Sequence, residues 1–460
     1  MDEKPNCIIF AIDTLRADHL GCYGYFRNTS PNIDKLANEG VLFKDSHATA
    51  VSTGPGFTSI LTGLSPIHHH FYVTPWNLYN LIDFDDSIPT LPELVQEHID
   101  GCTTAAFDNL INFYSHMDQC VRGFEYYINL TGTPTYDCQR VTAEMINRSL
   151  IPWLKAQKNK RFFLFIHYWD PHTPYNQPET YRRIFHHEHG KLDDLKVLQA
   201  PAGYQYVPGW GPVGELWEPF PEENKLTIDM YDGEICYVDH CIGEVITTLK
   251  ELGIKENTVV LVTSDHGEQL GQHGLYDHRH LHESVVQVPL VLWAPNSLPK
   301  GKKIDGYVQH ADIAPTILSL LGANMEKMPR FDGEDLSCLI EKKVGTRKKI
   351  FIEDHEERAV IDEKWKYIRS YFDGKEELYD MMNDPMEILN LTAKFENKTK
   401  IMRDQLFNWV DQNLQGQPDP LWIQIAEWSA RWAMTFKKDF PDLKPRQTII
   451  DEAGTSHKSS

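Results

Sequence analysis

The chain has 460 residues, enough for one large core and a smaller second one, since single cores stop growing near ~250–300 residues. Its 66 acidic against 45 basic residues leave a net charge of -21, which argues against nucleic acid as a partner; a small anionic substrate stays open, because a bound cation can invert the local field. The eight cysteines contain no CxxC pair, the start lacks a basic then apolar leader, and no apolar run nears the ~18 residues of a membrane span, so the expectation is a cytoplasmic protein with reduced thiols and no membrane contact.

Residues 7–12 form a short apolar run that reads as a buried strand and ends in Asp13. An Asp in that place either caps the next helix or, with partners, ligates a metal. A helical pattern over 32–39 follows. Next comes Val51-Ser52-Thr53-Gly54-Pro55-Gly56-Phe57, a hydroxyl-bearing turn that opens a helix running through Leu61-Thr62-Gly63. Pro55 suits a first helical turn, where its missing N–H costs nothing. The free N–H groups there make either an ordinary cap or an anion site, and in the second case Thr53 is a nucleophile.

Helical patterns over 90–97 and 141–155 lead to a second buried strand at 162–166. Beyond it stand His167, Asp170 and His172, a cluster harder to assign to packing than one isolated imidazole. Residues 176–225 are rich in Pro, Gly, His and Trp with little periodicity and read as an insertion or lid over one face. A helix over 231–252 and an apolar run at 259–262 then deliver Thr263-Ser264-Asp265-His266-Gly267-Glu268. In open α/β sheets ligands gather beyond strand carboxyl ends, and a carboxylate beside an imidazole suits zinc or manganese. The segment continues to His278, His280 and His282, and 289–293 reads as a further parallel strand.

Alternation of strands and helices predicts an α/β fold: a doubly wound, mostly parallel sheet with helices on both faces, spanning residues 1–345. Residues 346–460 read as a smaller α+β unit, with antiparallel strands at 349–353, 358–361 and 365–369 under a helix over 398–412. Trp409, Trp422, Trp428 and Trp432 then face the main body or a second copy of the chain, which would make a homo-oligomer.

Taken in order, Asp13-Thr14-Leu15-Arg16, Ser30-Pro31-Asn32, Leu61-Thr62-Gly63, Asp170-Pro171-His172-Thr173-Pro174-Tyr175, Ser264 to Gly274 and His310-Ala311-Asp312 resemble the sulfatase family of the alkaline phosphatase superfamily. Leu378-Tyr379-Asp380 with Asp384-Pro385 resembles its carboxyl-terminal signature. The departures matter as much. The family carries Cys or Ser, modified to formylglycine, in a C/S-x-P-x-R motif; register through Leu61-Thr62-Gly63 puts Thr53-Gly54-Pro55-Gly56-Phe57 there, so no formylglycine is expected. Thr14 stands where many members have a second Asp, and His278 where they usually have a Lys. That pattern is similar to the Thr-nucleophile phosphoethanolamine transferases of the superfamily.

The resemblance implies one or two divalent ions, zinc or manganese first and calcium also admitted. Asp13, Thr53, Asp265 and His266 would bind one. His172 and His278, with His167 and Asp170 beside them, would bind a second ion or the transferred group; Arg16, His280 and His282 would stand behind. The implied activity is metal-dependent hydrolysis of phosphate or phosphonate mono- and diesters through Thr53, with Thr53, His172 and His278 catalytic and a small anionic ester as substrate. The alternatives are a sulfuric ester hydrolase working without formylglycine and a catalytically silent metal-binding module.

Overall fold

In the computed structural model, the described residues are 4–72, 84–112, 117–131, 141–175, 177–185, 221–278, 280–342 and 347–426. The strands in chain order are β1 (Asn6–Ile12), β2 (Val41–His47), β3 (Cys102–Phe107), β4 (Tyr126–Ile128), β5 (Arg161–Tyr168), β6 (Thr258–Ser264), β7 (Gln269–Leu270), β8 (Tyr276–Asp277), β9 (Leu290–Trp293) and β10 (Lys302–Gln309). Eight of them form one sheet in the order β10-β2-β9-β6-β1-β5-β3-β4, while β7 and β8 pair as a separate ribbon. β1 lies between β5 and β6, parallel to both.

Every residue of β1 is buried, and its alternate side chains enter different cores, as strand geometry demands. Cys7, Ile9 and Ala11 pack with Phe57, Ile60 and Leu61 of the helix Thr53–Thr62 on one face. Ile8, Phe10 and Ile12 meet Tyr231, Ile235 and Val238 of the long helix Pro221–Glu251 on the other. The expected two-faced α/β architecture is therefore present.

One strand departs from expectation. β9 runs antiparallel to both of its neighbours, β2 and β6. Parallel pairing needs a crossover, usually carried by a helix. Between β6 and β9 the described chain holds the short ribbon β7–β8, one 3-10 turn and the four-residue α-helix Glu283–Val286, with no long crossover helix, so it returns from the edge it left.

A second sheet contains β11 (Lys349–Glu353), β12 (Glu357–Asp362), β13 (Trp365–Ser370) and β14 (Glu376–Asp380), all antiparallel in that order. The helix Glu396–Leu414 covers one face through Met402 and Leu406 against Val360, Tyr367 and Leu378. Ile350 and Ile352 face the other way, into a core shared with Val51, Leu281, Val285 and Val286 of the large domain. The small sheet thus rests on the segments that precede Thr53 and follow His278. Trp409 stacks on Phe351 at 4.5 Å and Trp422 meets Tyr371 edge-on at 5.4 Å. Trp428, Trp432 and residues 186–220, most of the expected lid, lie outside the described residues. Among the described residues no helix is long and apolar enough to cross a membrane.

Candidate active site

Ile12 and Ser264 are register partners at the adjacent ends of β1 and β6, so Asp13 and Asp265 leave the sheet side by side. Both are fully buried. Thr14 takes a left-handed turn (φ 54°) that aims its N–H at Asp265 Oδ1 at 3.1 Å, and the His266 N–H donates to the same oxygen at 2.8 Å. Asp265 Oδ2, both oxygens of Asp13 and His266 Nε2 make no hydrogen bond, although His266 Nε2 stands 3.3 Å from Asp265 Oδ2. His266 Nδ1 is held by the Gly267 carbonyl at 2.9 Å, which orients the ring. One ligand atom from each of Asp13, Asp265 and His266 lies within 4.8 Å of the others.

Buried polar atoms are nearly always hydrogen-bonded, so three clustered ligand atoms from Asp13, Asp265 and His266 without hydrogen bonds call for a cation. The titration pattern agrees. Burial raises the Asp265 carboxyl, and the neighbouring Asp13 charge adds to it. For Asp13, burial pushes upward too, but the imidazoles of His172, His167 and His266 outweigh it and hold the group below its ordinary range. The residues present therefore fit a divalent ion, with two carboxylates and an imidazole as ligands.

Thr53 begins its helix at this point and is buried, with Oγ1 unpartnered. Gly56 explains the close approach. A Cβ there would stand 3.1 Å from the Asp265 carbonyl oxygen and 3.2 Å from its Cβ, so a side chain would crowd Asp265 and glycine lets the first turn lie close against it. Phe57 packs edge-on against His167 at 4.7 Å.

His167 sits behind Asp13. Its Nε2 is 3.6 Å from Asp13 Oδ2, and its Nδ1 is 2.8 Å from Asp108 Oδ1. Burial works against the imidazolium, yet Asp108 and Asp13 together bring its pKa up to about 9. Tyr127 Oη donates to the other Asp108 oxygen at 2.6 Å. Sequence reasoning missed Asp108; its one signal is that it follows β3 at the same sheet edge.

His172 and His278 do come together. The His278 ring stacks on His266 with centroids 4.4 Å apart and lies 5.3 Å from His172, forming a row of three imidazoles. His278 Nδ1 is 3.1 Å from Glu268 Oε2, and His172 is oriented by the Thr173 carbonyl at its Nδ1.

Other expected residues have different duties. Asp170 Oδ2 accepts the Ala143 N–H at 2.7 Å, at the start of the helix Ala143–Gln157 that Thr142 caps, and burial raises the Asp170 pKa to about 6. Arg16 is buried, paired with Asp18 at 2.7 Å and donating to the Glu268 carbonyl at 2.9 Å, so it braces the backbone beside the partner of His278. His280 and His282 face the small sheet: His280 Nδ1 is 3.2 Å from Glu357 Oε1, and His282 Nε2 is 3.1 Å from Glu377 Oε2.

This seam yields a pH-dependent expectation. Burial disfavours the His280 imidazolium, but Glu357 holds its pKa up to about 9, and His280 in turn keeps Glu357 below its usual range. Stability from a raised histidine is fully present below its ordinary pKa of ~6.5 and is lost as pH rises through about 9. Stability from the lowered Glu357 is lost on the acid side. Glu357→Gln is therefore expected to melt below the wild type, with the widest gap between about pH 4.3 and 6.5 and the curves merging above the His280 transition. A gap independent of pH would refute the pairing.

The chain matches the family model for sulfatases over residues 5–323 and that for the N-sulphoglucosamine sulphohydrolase C-terminal region over residues 271–413. It is 29% identical over 441 residues to a sulfatase of Formosa agariphila, covering 87% of this chain and 85% of that one. A solved structure bound to its substrate D-glucosamine-2-N,6-O-disulfate superposes with a TM-score of 0.73 at 22% identity, over 91% of this chain and 99% of that one. The phosphonate monoester hydrolase of Silicibacter pomeroyi gives a TM-score of 0.73 at 20% identity, over 89% of this chain and 96% of that one. At such identities the two structures speak for the fold alone. The family match takes in both strands that carry Asp13 and Asp265, and on that ground the chain belongs to the sulfatase family of the alkaline phosphatase superfamily, ester hydrolases that work with a divalent metal.

Proposed function

We propose that the protein hydrolyses phosphate or phosphonate mono- or diesters with Thr53 as nucleophile. The observation that carries this reading is the buried, unpartnered Thr53 Oγ1 at the start of a helix whose first turn lies against Asp265. Asp13, Asp265 and His266, with Thr53, would hold one zinc or manganese ion. When bound, that ion supplies positive charge that lowers the Thr53 hydroxyl pKa and neutralises nonbridging oxygens.

The chain's own groups do the rest. Thr53 Oγ forms a bond to phosphorus as the bond to the leaving oxygen breaks, and the hydroxyl proton ends on the departing alcohol. Free N–H groups of the helix start donate to the nonbridging oxygens where charge builds. His172 and His278 stand beside that position, to donate to the transferred group or to hold a second cation. Water then attacks phosphorus, the Thr53 ester bond breaks, and the hydroxyl is restored.

A second reading is sulfate ester hydrolysis. It is favoured by relatives such as the Formosa agariphila sulfatase. A formylglycine hydrate expels its sulfate by collapse to the aldehyde, a route threonine lacks, so water would have to cleave a Thr53 sulfate. Steady-state kinetics with aryl phosphate, phosphodiester, phosphonate and sulfate substrates separates the two. Phosphorus esters are expected to show the higher kcat/KM; sulfate turnover ahead by orders of magnitude would reverse the order of the two readings.

A further inference from the structure

Next to the segment that leads to Thr53, the residue just past the end of β11 is a buried acceptor with no use in the chemistry above. Val51 donates its N–H to the Glu353 carbonyl at 3.1 Å and Glu353 donates to the Thr49 carbonyl at 3.1 Å, so the end of β11 runs alongside the segment that becomes Ser52-Thr53. Along β11 the side chains alternate: Phe351 lies toward the helix Glu396–Leu414, and Ile350 and Ile352 lie toward Val51 and Leu281. The Ile350 and Ile352 face lies between Val51, two residues before Thr53, and Leu281, three residues after His278. Asp354 directly follows β11 and donates its N–H to the Glu357 carbonyl at 2.9 Å, so it stands at the end of the strand that runs beside Val51.

Asp354 is 2% exposed. Its Oδ1 accepts the His355 N–H at 2.6 Å and lies 2.5 Å from His355 Nδ1, while its Oδ2 has no partner. The neighbouring carboxylates are engaged: Glu353 by Arg358, Glu357 by His280 and Glu377 by His282. A buried acceptor left open beside a reaction site is what a substrate donor completes, since buried polar atoms are nearly always hydrogen-bonded.

We propose that Asp354 binds the leaving group, accepting a hydrogen bond from a hydroxyl or ammonium group carried close to the ester oxygen. The substrate class is then an ester of an amino alcohol or a polyol, in preference to a plain alkyl or aryl ester. This rests on the Thr53 reading and sharpens it.

The test compares wild type and Asp354→Asn on 2-aminoethyl, 2-hydroxyethyl and ethyl phosphates, on their sulfate counterparts, and on 4-nitrophenyl phosphate and sulfate. A site built around a donor discriminates strongly against analogues that lack it. The ratio of kcat/KM for the donor-bearing esters to that for ethyl and 4-nitrophenyl esters is expected to fall roughly 10–100-fold in the variant. A fall confined to the 2-aminoethyl esters assigns a cationic leaving group; a fall confined to the 2-hydroxyethyl esters assigns a neutral one. An unchanged ratio, with 4-nitrophenyl esters still cleaved, overturns the role of Asp354 and leaves the Thr53 reading standing. No turnover of any ester by the wild type overturns both.

Discussion

Replacing Thr53 by alanine is expected to lower kcat by roughly 10⁴-fold or more, the scale seen when a nucleophile is removed from an intact site. The same change is not expected to cost stability in metal-free protein. Thr53 Oγ1 is buried without a partner, and a polar atom in that condition is a burden of about 1–3 kcal/mol that alanine removes. Activity and stability therefore move in opposite directions, as they do where a fold stores strain for function. Thr53→Ser keeps the oxygen and is expected to retain most of the rate. Rapid quenching of wild type during turnover, followed by peptide mass spectrometry, is expected to find the transferred group on the Thr53 peptide. Equal rates for wild type and Thr53→Ala would exclude threonine chemistry; a silent binding module predicts that equality.

What could be read from the sequence follows physical contrast. β1 and β6 are unbroken apolar runs buried on both faces, so their ends, and with them Asp13 and Asp265, were legible. β2 was not, because Lys44 and Asp45 interrupt it where it lies next to the edge strand β10. β3 is built from Thr103, Thr104, Ala105 and Ala106, whose small side chains give no hydrophobic signal, and Asp108 was hidden with it. The direction of β9 depends on how the chain returns, which an apolar run of four residues does not encode. Asp170 carried the same local signature as the residues around it and was separated from them only by which backbone N–H it met. His278, His280 and His282 look alike in sequence. Their division between the site and the small sheet became visible only with Glu357 and Glu377 placed across the seam.

The second large effect concerns the metal. In metal-free protein, Asp13 and Asp265 are two fully buried carboxylates with ligand atoms within 4.8 Å of each other, and burial raises Asp265 while Asp13 adds to that shift. Asp265→Asn removes one of those charges and keeps an oxygen to accept the Thr14 and His266 N–H groups. The metal-free variant is accordingly expected to unfold at the same temperature as metal-free wild type or higher. Added metal reverses the ranking. An ion that binds only the folded state stabilises by about 2.7 kcal/mol at one hundred times its Kd. Wild type gains that increment with zinc or manganese, and Asp265→Asn, having lost a charged ligand, does not. Thermal melts of both proteins, after chelation and after titration with zinc, manganese, calcium and magnesium, read this directly. Elemental analysis of the same samples counts ions per chain, and a count that drops in His278→Ala but not in His280→Ala marks the row of imidazoles as a second position. Identical melts for wild type and Asp265→Asn under every ion would mean that the buried cluster does not hold a cation.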